Sequence, residues 1–93
     1  MNVEATFVRG ETGHLVSWDG ETMVLKASAA YAPGSPVEAS LALADGPLRV
    51  EGRTKDSKRG SDGQFVVRVR VINLRREEKL RLAAAIEALL KNA

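Results

Sequence analysis

Phe65-Val-Val-Arg-Val-Arg-Val71 places Phe65, Val67, Val69 and Val71 on one side of an extended chain and Arg68 and Arg70 on the other. That is period two, the spacing of a β-strand with one face buried. Upstream, Leu48, Val50 and Gly52 alternate in the same way with Arg49, Glu51 and Arg53. In the run before that, Val37, Ala39, Leu41 and Leu43 share one face, and Glu38 and Ser40 share the other. Each run turns one apolar face inward, as an antiparallel sheet with a single buried side requires.

Glycine and proline punctuate the first two-thirds of the chain at Gly10, Gly13, Gly20, Pro33-Gly34, Pro36, Gly46-Pro47, Gly60 and Gly63. Strands are therefore predicted near 2–8, 14–18, 22–28, 36–44, 47–55 and 64–72. Asp19-Gly20 lies between two apolar runs and reads as a hairpin turn, because glycine accepts positive φ without cost. Asp45-Gly46-Pro47 is a second tight connection, and Asp56 to Gly63 reads as a longer, polar, mobile loop. From Arg75 the period changes. Leu82, Ile86, Leu89 and Leu90 follow helical spacing with Ala85 on the same stripe, Asn73 reads as the N-cap, and Glu77 and Glu78 fall in or near the positive first turn. Glu77 to Arg81 and Glu87 to Lys91 are i, i+4 pairs. The expectation is one mainly-β domain over 1–93: a six-stranded antiparallel barrel over about 2–72 and a C-terminal helix over about 75–91.

Bulk properties exclude several function classes. Ninety-three residues make one domain with a modest core, too small for a deep enclosed site. The only aromatic residues are Phe7, Trp18, Tyr31 and Phe65, so the core must be aliphatic. With no cysteine there are no disulfides and no thiolate metal sites. Met1-Asn2-Val3-Glu4 lacks the basic start and apolar run of a signal peptide, and no stretch reaches the ~18–20 apolar residues of a membrane span. A soluble cytoplasmic protein is expected. Fourteen basic residues against twelve acidic give a net charge of +2 and a pI near 9.3, too balanced to announce a nucleic-acid binder.

Candidates for chemistry are few. His14 is the only histidine, and it lacks a neighbouring nucleophile motif, so it reads as structural or solvent-facing. No phosphate loop, zinc-ligand cluster or calcium loop is present, and neither enzyme activity nor a cofactor or metal is expected. Trp18, beside the Asp19-Gly20 turn, reads as a rim residue over the core; its alternative is an exposed stacking platform. If 47–55 and 64–72 pair as a hairpin, Arg49, Arg53, Lys55, Arg68 and Arg70 share one surface, interrupted by Glu51 and extended by Lys58 and Arg59. That stripe is either a solvated face whose charge discourages edge pairing or a patch for an anion or acidic partner. No aromatic residue interleaves with the arginines, which counts against single-stranded nucleic acid.

Taken in order, the chain resembles a PilZ domain, a bacterial six-stranded barrel closed by a C-terminal helix. The likeness runs from about Val3 to Leu90. It is carried by Ala32-Pro-Gly-Ser-Pro-Val-Glu-Ala-Ser-Leu41, by Leu48-Arg-Val-Glu-Gly-Arg53 and by Phe65-Val-Val-Arg-Val-Arg-Val-Ile-Asn-Leu74 with the charged helix start after it. The resemblance implies binding of cyclic di-GMP through Arg-x-x-x-Arg before the first strand and Asp/Asn-x-Ser-x-x-Gly between the second and third. The chain departs from both. Arg9 is the only arginine before the second strand, and Ser17-Trp18-Asp19-Gly20-Glu21-Thr22 puts serine for the acid, aspartate for the serine and threonine for the glycine. Arg49-Val-Glu-Gly-Arg53 has the spacing of the first motif but lies within the fifth strand.

The expected function is that of a PilZ-like adaptor without cyclic di-GMP, acting on a protein partner of a bacterial motility or signalling system through Arg49, Arg53, Lys55, Arg68 and Arg70. The alternative is a nucleotide receptor with a rebuilt site at Arg9, Ser17, Trp18, Asp19 and Thr22. Nonspecific nucleic-acid binding through the stripe is the weakest of the three, and homodimerisation is compatible with each.

Overall fold

A computed structural model describes residues 3–91, with side chains as far as 89. Its elements in chain order are β1 (Glu4–Phe7), β2 (Thr12–Trp18), β3 (Thr22–Ala27), β4 (Pro36–Leu43), β5 (Gly46–Arg59), β6 (Phe65–Ile72) and α1 (Arg76–Lys91). The strands close a barrel in the order β1-β2-β3-β6-β5-β4, every neighbouring pair antiparallel. Two three-stranded meanders, β1-β2-β3 and β4-β5-β6, are thus joined along both edges by the β1–β4 and β3–β6 ladders. The expected six-stranded barrel with a C-terminal helix is the architecture observed.

Alternation puts Phe7, Leu15, Met23, Leu25, Leu41, Leu48 and Val67 in the interior, each nearly or wholly inaccessible. Burying such a side chain contributes about 1.5–3 kcal/mol, so the barrel is held mainly by aliphatic packing. Tyr31, in the crossover between β3 and β4, adds its ring against Phe7 at 5.5 Å between centroids. Ser57 ties that crossover down: its Oγ accepts from the Tyr31 amide and donates to the Tyr31 carbonyl. Gly52 pairs with Val71 on the β5–β6 ladder, and a Cβ there would lie 2.3 Å from the Arg70 carbonyl oxygen.

Three expectations need correction. Asp56 to Arg59 belong to β5 rather than to a mobile loop, and the hairpin closes only at Gly60, whose amide donates to Gln64. A bulge between Thr54 and Asp56 lets these polar residues pair with β6, Asp56 facing Arg68 and Ser57 facing Val67. Asn73 does not cap the helix. It leaves β6 at φ +58 with its side-chain amide on Glu51, while Arg75 holds the capping position: its N–H donates to Glu78 Oε1 and its carbonyl accepts from Lys79. Arg81 pairs with Asp45 rather than Glu77, placing two bonds of 3.0 Å on that carboxylate and one of 2.9 Å on the Gly46 carbonyl. The alignment of that fork with the β4–β5 turn fixes the helix across the barrel end. There Leu82 is fully buried, and Ala85, Ile86 and Leu89 pack on the core. Asn2 of the first predicted strand lies outside the described residues, as do the side chains of Leu90 and Lys91, and with them the Glu87–Lys91 pair.

Candidate interaction surface

The β5–β6 ladder decides which outward side chains meet. Arg53 stands directly opposite Arg70, and Asp56 opposite Arg68, with Lys55 in the bulge between them. On the far side of β6, Thr22 faces Arg70 and Val24 faces Arg68; on the far side of β5, Pro36 faces Arg53 and Ser40 faces Arg49. The predicted stripe is therefore one continuous outer surface.

Its charges are largely answered from within the chain. Arg68 clasps Asp56 through Nε, at 3.0 and 3.1 Å, and through Nη2. That fork holds the Asp56 carboxyl below the ordinary value and raises the Arg68 guanidinium. Arg49 bonds Glu38 at 2.6 Å, with the same upward effect on its own pKa. Arg70 approaches Glu21 at 3.5 Å, both side chains about two-thirds exposed. Among the described residues Arg53 and Lys55 hydrogen-bond neutral oxygens, the Gly34 carbonyl at 3.1 Å and the Thr22 hydroxyl at 3.4 Å. Among the described residues Lys58 and Arg59 form no ion pair. The neutralising acids (Glu38, Asp56 and Glu21) were missed in the sequence because they lie on another strand, across a bulge or in the β2–β3 turn.

The alternative ligand positions do not form one site. The β2–β3 turn satisfies itself: Asp19 Oδ1 accepts the amides of Glu21 and Thr22 at 2.9 and 2.7 Å, and these bonds hold its carboxyl below the ordinary value. Gly20 makes the bend at φ +102. Ser17 faces Val24 across the ladder, and Trp18 is half-buried against the core, as a rim residue would be. Arg9 lies beyond the opposite end of β2, whose seven residues span about 20 Å. Its guanidinium stacks 4.4 Å over the Tyr31 ring and pairs with Glu11 at 3.0 Å. Both Glu11 oxygens are buried there, and among the described residues Arg9 is the cation paired with that carboxylate. Burial first, and then Glu11, raise the Tyr31 phenol above its ordinary pKa, against the opposing pull of Arg9. Sequence spacing gave no signal for this cluster, since Tyr31 comes from a loop twenty residues away.

His14 is half-buried, faces Glu4 and Lys26 across its two ladders, and lines a polar cleft of about 350 Å³ with Thr6, Thr12, Ser28 and Gln64. Among the described residues no group of three acids or histidines could hold a metal ion, and no helix is long and apolar enough to cross a membrane. Comparison of the chain with protein-family models, with curated proteins and with solved structures returned no match.

Proposed function

We propose that the chain is a PilZ-like, non-catalytic adaptor domain that does not take up cyclic di-GMP and works through protein contacts on its β5–β6 face, in a cytoplasmic bacterial signalling or motility system. The observation that carries this is the separation of Arg9 from the Ser17–Thr22 turn by the length of β2. A dianionic nucleotide held by those residues would need them together. Each is instead committed elsewhere, Arg9 to Tyr31 and Glu11, and Asp19 to its own turn. The barrel closed by a helix supports the resemblance in architecture, and the incompletely neutralised Arg53, Lys55 and Arg70 supply a surface for a partner.

One observation favours the receptor alternative. Lys55 and Arg70 reach the very turn that stands at the position of the second ligand motif, so cations are present beside it. Calorimetric titration with cyclic di-GMP, with Trp18 fluorescence followed in parallel, separates the two. The adaptor reading expects no saturable heat and no fluorescence change at tens of micromolar ligand. Saturable binding would overturn it and make Lys55, Arg70 and the Ser17–Thr22 turn the first positions to substitute.

A further inference from the structure

The outer face of the barrel pairs several of its bases with acids: Arg68 has Asp56, Arg49 has Glu38, and Lys26 has Asp62 at 2.9 Å. The row Thr22–Arg70–Arg53–Pro36 differs, because register sets two arginines directly opposite each other. Side chains so placed have Cβ atoms about 4.5–5.5 Å apart, and like charges there destabilise the sheet. Lys55 adds a third cation from the bulge. The carboxylate paired with the row is Glu21, at 3.5 Å from Arg70, while Asp56, which also acts on Lys55, is clasped by Arg68. Asp19 is nearby but already accepts two amides of its own turn.

Resting on the protein-contact reading above, we propose that Arg53, Lys55 and Arg70 receive the carboxylates of a short, extended acidic segment of a partner protein, and that Glu21 stands in for one of them in the free domain. Carboxylates at alternate positions of an extended chain lie about 6.5–7 Å apart, a span that two facing guanidinium forks can meet. Glu21 already brings one carboxylate within ion-pair distance of the row. A nucleic-acid backbone fits less well. It asks for a continuous line of free cations and for aromatic stacking, whereas Arg49 and Arg68 on either side are already occupied and the row holds no aromatic ring.

The test is an amide-resolved NMR titration of the full chain with an octapeptide of alternating glutamate and serine. The same peptide with glutamine for glutamate, inorganic phosphate and an eight-nucleotide oligothymidine serve as separate arms. Saturable shifts centred on Arg53, Lys55 and Arg70, present with the glutamate peptide and absent with the glutamine one, are the expected result. Glu21→Gln should tighten that binding about two- to fivefold by removing an exposed competitor. Arg53→Glu should abolish it, with Arg53→Gln as the milder variant should charge reversal disturb the fold. Shifts spread equally over Arg49 and Arg68, an unchanged affinity in Glu21→Gln, or stronger effects from phosphate or oligothymidine at the same residues would each overturn the proposal. Affinity capture of a protein partner separates it from the adaptor reading. Capture that persists in Arg53→Glu sinks the row and spares the adaptor, whereas peptide binding at the row with no partner captured by the wild-type chain does the reverse.

Discussion

Gly52→Ala tests whether strand-to-strand approach, rather than side-chain packing, limits the β5–β6 ladder. A Cβ at position 52 would lie 2.3 Å from the Arg70 carbonyl oxygen, 2.8 Å from Val69 Cγ1 and 3.0 Å from the Arg70 carbonyl carbon. Reaching even 3.0 Å from that oxygen requires the strands to part by about 0.7 Å, and a carbonyl in a ladder cannot swing aside as a side chain can. The separation weakens one or two hydrogen bonds worth about 0.5–1.5 kcal/mol each. Overpacking adds about 1–3 kcal/mol. A loss of about 2–4 kcal/mol follows, a large share of the roughly 5–14 kcal/mol expected of a domain this size. The melting temperature should fall by roughly 10–30 °C. Urea unfolding followed by far-UV circular dichroism and Trp18 fluorescence measures it. Val69→Ala provides the internal control, since it removes the contact at 2.8 Å and leaves the one at 2.3 Å. Adding it to Gly52→Ala should give no rescue. Rescue, or a loss below about 0.5 kcal/mol for Gly52→Ala alone, would refute the geometric reasoning.

Two further outcomes follow from packing and from charge. Leu82→Ala empties a fully buried site beneath the helix and should cost about 3 kcal/mol, while Leu80→Ala, on the exposed side of the same helix, should stay within about 0.5 kcal/mol; urea midpoints compare the pair. Asp19, Asp45, Asp56 and Asp62 are all held below the ordinary carboxyl value of 3.8, by backbone amides for Asp19, by Arg81 for Asp45, by Arg68 for Asp56 and by Lys26 for Asp62. A lowered pKa means the folded chain favours the ionised form, so this stabilisation is full above 3.8 and is lost as pH falls through the lowered values. Urea midpoints should therefore decline below about pH 4, less steeply in Asp56→Asn; a midpoint that rises on acidification in that range would contradict the assignment.

The period-two runs at 37–43, 48–53 and 65–71 and the helical stripe from Leu82 were enough to name a barrel with a helix, because alternation and helical spacing are local properties of the chain. The same local character explains the misreadings. Asp56 to Arg59 looked like a loop since every residue is polar, yet Arg68 and the Tyr31 backbone, both distant in sequence, supply the partners that make it strand. Asn73 had the residue type of a cap, but Arg75 holds that position, its amide donating to the Glu78 side-chain carboxylate.

The candidate surface divides along the same line. Sequence by itself determined that Arg49, Arg53, Arg68 and Arg70 face outward on neighbouring strands, since side-chain direction follows from parity. Only the tertiary structure decided which of them are paired with an acid. Register sets Arg68 against Asp56 but Arg53 against Arg70, and a bulge of one residue brings Lys55 beside them. Register is a relation between strands, fixed by how two apolar faces meet in one core, and no single stretch of the chain contains it.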